Sequence, residues 1–77
     1  MKTRVLLFGM LADVAKQNSF EIENAADTDS LLNKVHEMNS AFRETNFVIA
    51  VNKKVIKVNQ TIKENDEVAL LPPFAGG

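Results

Sequence analysis

Two stretches of this 77-residue chain, RVLLF at residues 4–8 and EVALL at residues 67–71, constrain its fold more than any other feature. Each is apolar at four consecutive positions, so a strand built from either one presents apolar side chains on both of its faces. Strands of this kind usually lie in the middle of a sheet, where both faces are covered. The sequence therefore predicts that these segments form central strands.

The segment after the first strand predicts a short helix and then a second strand. Gly9 ends the apolar run, and apolar residues then recur at helical spacing over about two turns. They are Met10, Leu11, Val14 and Ala15. SFEIE, at residues 19–23, alternates apolar and polar residues, which is the pattern of a half-buried strand.

The principal helix is predicted to follow the polar loop NAADTD, residues 24–29, with Thr28 or Asp29 as its N-cap. Its apolar stripe has the spacing i, i+1, i+4, i+7. The stripe consists of Leu31, Leu32, Val35 and Met38. The helix is expected to end near Asn39 and Ser40.

The second half of the chain predicts a hairpin and a last strand. FVIAV, residues 47–51, is an apolar run typical of a buried strand. Asn52 tolerates the left-handed conformation of a tight turn, and Val55 with Ile56 or Val58 forms the returning strand. Residues 64–68 then turn into the last strand. This order predicts an α+β fold, a single sheet with one principal helix on one face.

One long helix covers only one face of a small sheet. The opposite side, at Leu6 and Phe8 or at Ala69 and Leu71, is therefore either an exposed apolar surface or is covered by the short helix. An exposed apolar surface commonly marks a protein interface. The sequence leaves both possibilities open.

The composition argues against several functions. Nine basic residues face ten acidic ones, without the basic excess of a dedicated nucleic-acid-binding protein. There is no cysteine and a single histidine, His36, so neither a thiolate site nor a multi-histidine metal site is expected.

The N-terminal residues imitate a short signal peptide, because Lys2 and Arg4 precede an apolar run at residues 5–12. However, Asp13 follows this run directly, without a small-residue cleavage site. A cytoplasmic protein is predicted, and no segment is long enough to span a membrane.

The C-terminal residues predict a slender extension of the fold. Pro72 and Pro73 donate no backbone N–H, so they end the last strand and favour an extended course. Two of the three glycines are the final pair, Gly76 and Gly77. From residue 72 onward the segment can reach about 20 Å beyond the sheet. We therefore divide the chain into a domain of residues 1–71 and a tail of residues 72–77.

The ending DEVALLPPFAGG, together with AVN at residues 50–52 and VLLF at residues 5–8, resembles a known family. It is similar to the small, sulfur-carrying subunits of molybdopterin synthase, which belong to the ubiquitin-like β-grasp sulfur carriers. The resemblance extends over the whole chain in length and element order. It implies a β-grasp fold with a mixed sheet, one principal helix, and a short helix after the first strand.

The resemblance also implies a chemistry and its partners. An activating enzyme uses ATP to adenylate the terminal carboxyl, here that of Gly77, and sulfur then displaces AMP to leave a thiocarboxylate. The tail is inserted into the large synthase subunit, which holds a cyclic pyranopterin monophosphate. This compound receives the sulfur. The family suggests a heterotetramer of two carriers on two large subunits. The carrier itself binds no cofactor and is not catalytic on its own.

The resemblance assigns roles to particular positions. Gly77 matches the sulfur-bearing terminus and Gly76 its neighbour, where a side chain is expected to block entry to active sites. The positions matched to partner contacts are Phe8, Leu71, Pro72, Pro73, Phe74 and Ala75. Phe74 is bulkier than the apolar residue usual in the family.

Two other functions are compatible with the same sequence. The sulfur carrier for thiamin thiazole synthesis also ends in two glycines, although those chains are typically shorter and lack the double proline. A ubiquitin-like module that binds partners, or is attached to lysines, would use the apolar sheet face without carrying sulfur.

Overall fold

The computed structural model describes residues 2–73, and these form a five-stranded mixed sheet with helices on one face. The strands are β1 (Lys2–Leu7), β2 (Ser19–Glu23), β3 (Val48–Val51), β4 (Lys54–Ile56) and β5 (Glu67–Leu71). Their order across the sheet is β2-β1-β5-β3-β4. β1 and β5 run parallel, and every other neighbouring pair is antiparallel. The prediction that RVLLF and EVALL lie centrally is confirmed.

The helices pack on one side of the sheet, which we call the inner face. α1 (Met10–Ala15) follows β1 as predicted, and α2 (Thr28–Met38) is the principal helix. Side chains from both helices join one core with the inward residues of β1 and β5. Its largest fully buried members are Phe42, Leu11, Leu31, Leu70, Val5, Val35 and Val68. The predicted α+β fold class is confirmed.

The N-cap of α2 is Asp27, so the expectation of Thr28 or Asp29 was wrong by one or two residues. Its carboxylate accepts a hydrogen bond from the backbone N–H of Ser30 at 2.9 Å. A second acceptor comes from a distant segment, because Asn59 Oδ1 accepts from the backbone N–H of Asp29 at 2.9 Å. The sequence could not place the cap reliably, since three consecutive residues have a suitable side chain.

Thr28 instead ties the start of α2 to the segment after β4. Its buried hydroxyl donates to Asn59 Oδ1 at 3.1 Å and accepts from the backbone N–H of Gln60 at 3.0 Å. Backbone hydrogen bonds between residues 26–28 and 60–62 continue this connection. The principal helix is thereby attached to the sheet by polar contacts as well as by its apolar side.

The C-terminal end of α2 differs from the predicted stripe. Leu31 and Val35 are fully buried, but Met38 is 49% exposed. The chain turns at Asn39 into a 3₁₀ helix, Ser40–Glu44, which the sequence pattern did not predict. Phe42 of this turn is buried and supplies apolar packing at that end of the core. The apolar stripe of a helix does not show whether a side chain from the next segment, here Phe42, will occupy the core position expected for the last residue of the stripe.

The hairpin between β3 and β4 forms at the predicted residue. Asn52 and its successor Lys53 both have positive φ, at 51° and 71°, as a two-residue type I′ turn requires. β4 ends at Ile56, so Val58 lies outside the returning strand and is 77% exposed. Of the two alternatives for that strand, Ile56 is confirmed and Val58 is wrong.

Asn52 also connects this hairpin to the start of β5. Its side chain donates to Asp66 Oδ1 and accepts from the backbone N–H of Glu67, both at 2.9 Å. The other oxygen of Asp66 accepts from the backbone N–H of Lys63 at 2.8 Å. The hydrogen bonds from Lys63 and then Asn52 favour the ionised carboxylate and lower the pKa of Asp66. This carboxylate organises the turn before β5.

In the described part of the chain, no helix is long and apolar enough to cross a membrane.

Two buried threonines should respond oppositely to the same substitution. Thr3 Oγ1 is buried and has no hydrogen-bond partner among the described residues, whereas the hydroxyl of Thr28 makes two bonds. Thr3→Val removes an unsatisfied polar group, and we expect it to raise the free energy of unfolding by about 1 kcal/mol. Thr28→Val leaves Gln60 N–H without its partner and should lower it by about 1–3 kcal/mol. Urea denaturation checks both, and a loss of stability in Thr3→Val would contradict the assignment.

Acid should weaken the fold through Asp27 and Asp66. Hydrogen bonds from Ser30 and Asn59 lower the pKa of Asp27, as those from Lys63 and Asn52 lower that of Asp66. A carboxyl group whose pKa is lower in the folded protein than in the unfolded chain stabilises the fold at any pH above its unfolded-chain pKa of about 3.9. This stabilisation is lost as the pH falls through the pKa that the group has in the folded protein.

The double variant D27N/D66N should therefore be less stable than the wild type at pH 7, with a difference that shrinks between about pH 4 and pH 2. Urea denaturation across this range measures it. Asp13→Asn, at an exposed aspartate, is the control. A difference that stays constant on acidification would show that these carboxylates do not carry the effect.

Candidate functional site

The face of the sheet opposite the helices carries an exposed apolar surface. It forms a shallow depression of about 340 Å³. We call its apolar lining the outer patch, and it consists of Leu6, Phe8, Ala50, Val55, Ala69 and Leu71. Phe8 is 45% exposed and Val55 is 53% exposed. Large apolar side chains at this level of exposure in one cluster are typical of a protein interface.

The register of the sheet creates the outer patch. Leu6 of β1 lies beside Ala69 of β5, which lies beside Ala50 of β3, which lies beside Val55 of β4. Because side chains alternate between faces, these four point to the outer face, away from the helices. Leu71 follows two residues after Ala69 on the same face. One cross-strand row thus contributes side chains from four strands.

The structure decides between the two possibilities that the sequence left open. α1 does not cover the outer face, because its Leu11 is fully buried in the same inner core as Val5 and Leu7. Small residues at positions 50 and 69 leave the centre of the outer patch recessed between larger side chains. The outer face of β1 and β5 is therefore left open by the described residues.

Charged side chains border the outer patch on one side. Arg4 of β1 lies in register between Glu21 of β2 and Glu67 of β5, one outward position before Leu6. Lys53, in the hairpin turn, lines the same depression as Glu67. The outer face is therefore charged where β1 and β5 begin and apolar where they end.

The apolar end is also where the chain leaves the sheet. The last bond between β1 and β5 runs from the backbone N–H of Phe8 to the carbonyl of Leu70, at 3.1 Å. Pro72, which follows β5, is half-buried and Pro73 is exposed. Since proline has no backbone N–H, the ladder cannot continue through either residue.

Gly9 is packed against this exit and was not assigned a role by sequence reasoning. A Cβ atom built on Gly9 would lie 2.7 Å from Cγ of Pro72. The glycine was recognised only as the residue that ends β1. Its contact joins segments more than sixty positions apart, so no local pattern could have indicated it.

The structure brings together four of the residues predicted to contact a partner. Phe8 and Leu71 lie in the outer patch, and Pro72 and Pro73 continue from its edge. The other predicted site residues lie outside the described residues. They are Phe74, Ala75, Gly76 and Gly77. The tail assigned to residues 72–77 is thus described only at its first two positions.

Elsewhere, a second depression lies between α2 and β4, lined in part by Leu32, Phe47 and Val58. It contains none of the predicted site residues. Among residues 2–73, no three His, Asp or Glu side chains are close enough together to hold a metal ion.

Comparison with known proteins identifies relatives over the whole length. The chain is 31% identical over 83 aligned positions to the molybdopterin synthase sulfur carrier subunit of Chlamydomonas reinhardtii, and the alignment covers 100% of both chains. It also resembles a chain in the solved protein–protein complex of subunits 1 and 2 of the molybdopterin-converting factor from Helicobacter pylori. There the identity is 30%, the TM-score is 0.74, and both chains are fully covered.

A third similarity concerns the fold alone. The crystal structure of SAMP1 from Haloferax volcanii superimposes with a TM-score of 0.81 at 21% identity, with full coverage of both chains. The β-grasp arrangement predicted from the sequence is confirmed by these structures together with the observed strand order. A profile of the ThiS family matches residues 5–77. This chain, which is similar in sequence to molybdopterin synthase sulfur carrier subunits, belongs to the ThiS family.

Proposed function

We propose that this protein is the sulfur-carrier subunit of a molybdopterin synthase and that the carboxyl group of Gly77 carries the sulfur. Family membership and full-length similarity to proteins named as such carriers support the proposal. The observation that carries the docking geometry is the position of the exit from β5. The central strand β5 ends at Leu71, which lies with Phe8 in the outer patch, and Pro72 follows it directly.

Activation is proposed to begin at the terminal carboxylate, which is a poor electrophile. An adenylating enzyme joins this carboxylate to AMP and releases pyrophosphate from ATP. A sulfur nucleophile then attacks the acyl carbon, the C–O bond to AMP breaks, and the product is a thiocarboxylate on Gly77. The glycines at positions 76 and 77 suit this chemistry, because they have no side chain to obstruct the acyl carbon.

Transfer is proposed to take place on the large synthase subunit. The thiocarboxylate sulfur attacks a carbon of the cyclic pyranopterin monophosphate, where a C–S bond forms and a C–O bond breaks with loss of the oxygen substituent. Water then cleaves the bond between the acyl carbon and the sulfur, which leaves the sulfur on the pterin and releases the carrier as its carboxylate. The dithiolene of molybdopterin contains two sulfurs, so two loaded carriers are consumed for each product. In this proposal the carrier donates sulfur, does not catalyse the reaction and binds no cofactor. We further propose that it acts in the cytoplasm as part of a heterotetramer with the large subunit.

The outer patch is the surface proposed to contact the large subunit. Aromatic and aliphatic side chains in a shallow depression bind through burial of apolar area. Arg4, Glu67 and Lys53 at its border add charges of both signs, which favour one orientation of the partner. Phe74 and Ala75 are proposed to continue this contact along the tail.

Deletion of Gly77 should abolish sulfur loading while leaving the fold intact. Among the described residues, the buried core lies between Val5 and Leu70, so we expect the deletion to leave the free energy of unfolding unchanged. With the activating enzyme, ATP and a sulfur donor, intact mass should show exchange of one oxygen for sulfur in the wild type and no exchange in the deletion. Molybdopterin formation should be lost with it.

An extra serine after Gly77 is the matched control, since it keeps both glycines but moves the carboxyl. It should also fail to load. Sulfur transfer by the deletion variant would contradict the proposal. Loading followed by transfer only to a thiazole-forming system would favour the thiamin carrier, and high-mass conjugates dependent on Gly77 would favour a ubiquitin-like modifier.

Phe8→Glu should weaken binding to the large subunit by at least about 30-fold, the effect expected for an interface aromatic that contributes about 2 kcal/mol. Its effect on the free energy of unfolding should stay within about 1 kcal/mol, because the side chain is already 45% exposed. Calorimetric titration and urea denaturation measure the two quantities.

Val58→Glu is the control for this prediction. It introduces the same charge at a side chain that is 77% exposed but lies outside the outer patch. It should leave binding within about twofold of the wild type. Equal loss of binding in both variants would mean that added negative charge, and not the outer patch, determines the effect.

A further inference from the structure

Gly9 has a backbone conformation that only glycine adopts readily. Its φ is 60° and its ψ is −139°, the mirror image of the extended conformation favoured by other residues. This conformation turns the chain from the end of β1 into α1. An L-residue in this region is strained, at a cost of about 1–3 kcal/mol.

The second constraint on Gly9 is steric and comes from the root of the tail. A Cβ at this position would approach Cγ of Pro72 to 2.7 Å and Cδ to 3.5 Å. The first distance is shorter than real carbon–carbon contacts allow. The closed proline ring can move Cγ only by changing its pucker, so it has less freedom to withdraw than an open side chain. A side chain at position 9 therefore pushes against the Pro72 ring.

The ladder offers Pro72 no other anchor to β1. The last hydrogen bond of that pairing ends at Leu70, whose carbonyl accepts from Phe8, and Pro72 has no N–H to donate. The ring of Pro72 packs against the backbone of Gly9. At this contact, the segment that follows β5 meets the turn between β1 and α1. It lies one residue beyond Phe8 of the outer patch.

We propose that Gly9 is a positioning residue for sulfur transfer: by lacking a side chain, it seats the Pro72 ring and sets the direction in which the chain leaves the sheet. This inference rests on the proposed function. Gly9 does not touch the reacting atoms, and it acts through Pro72. Small errors in placing a reactive group are costly, because a shift of about 1 Å can reduce a rate about 100-fold.

The test is a double-mutant cycle on sulfur transfer. Carriers bearing a chemically installed thiocarboxylate, which bypasses the activating enzyme, are mixed with excess large subunit holding its pterin substrate. Gly9→Ala should lower the single-turnover rate at least about 10-fold under conditions where circular dichroism shows a folded chain. Pro72→Ala removes Cγ, so adding Gly9→Ala to it should change the rate by less than about threefold.

Thr28→Val is the control for stability, because it weakens the fold at the attachment of α2 without altering any residue of the outer patch. It should transfer sulfur at the wild-type rate while folded. A Gly9→Ala carrier that also transfers at the wild-type rate would overturn the positioning role. So would an equal loss of rate in the presence and absence of the Pro72 ring, since the effect would then come from backbone strain.

Two further outcomes are distinguishable. If Gly9→Ala does not fold, the inference requires that Gly9→Ala/Pro72→Ala folds, and an unfolded double variant overturns it. If the loaded wild type transfers no sulfur, the proposed function fails and the role of Gly9 in transfer fails with it. In that case the packing of the Pro72 ring on Gly9 can still be tested separately. We expect nuclear Overhauser contacts between the Gly9 α-protons and the Pro72 ring in the wild type.

Discussion

The parallel pairing of β1 with β5 is the interaction on which the rest of this structure depends. It joins Val5 to Val68 and Leu7 to Leu70 at the centre of the sheet, so the first and last strands share one core. Contacts between the ends of a chain carry a large loop-closure entropy, which burial of apolar surface has to exceed. Val5, Leu7, Val68 and Leu70 are all buried in the core, and the helices between the two strands pack against them.

The same two strands provide both the core and the candidate docking surface. Alternation along each strand sends Val68 and Leu70 to the helices, and Ala69 and Leu71 to the open face. A chain of this size has one principal helix, so it covers one face and leaves the other apolar. Under the proposed function this face is the docking surface, and Pro72 leaves β5 at its apolar end.

Polar side chains settle the parts of the fold that apolar packing does not. Asn59 and Asp27 share the capping of α2, while Asn52 and Asp66 join the hairpin to the turn before β5. The second pair holds Lys53 and the start of β5 beside each other at the charged border of the outer patch. Each pair connects segments distant in sequence, and each uses short amide or carboxylate side chains that make two or more hydrogen bonds at once.

The sequence by itself determined the five strands, the two α-helices and the central place of RVLLF and EVALL, because apolar periodicity is a local property. It also determined the hairpin at Asn52 and the end of the last strand at the prolines, since the backbone limits of asparagine and proline are local as well. It also indicated the family, through the C-terminal motif. Only the tertiary structure decided that Asp27 caps α2 and that Phe42 completes the core in place of Met38. It also decided that residues 2–73 leave the outer face uncovered and that Gly9 packs against Pro72. These outcomes depend on which distant segments come into contact, and that is set by the register of the sheet and by competition for one small core, neither of which a local pattern contains.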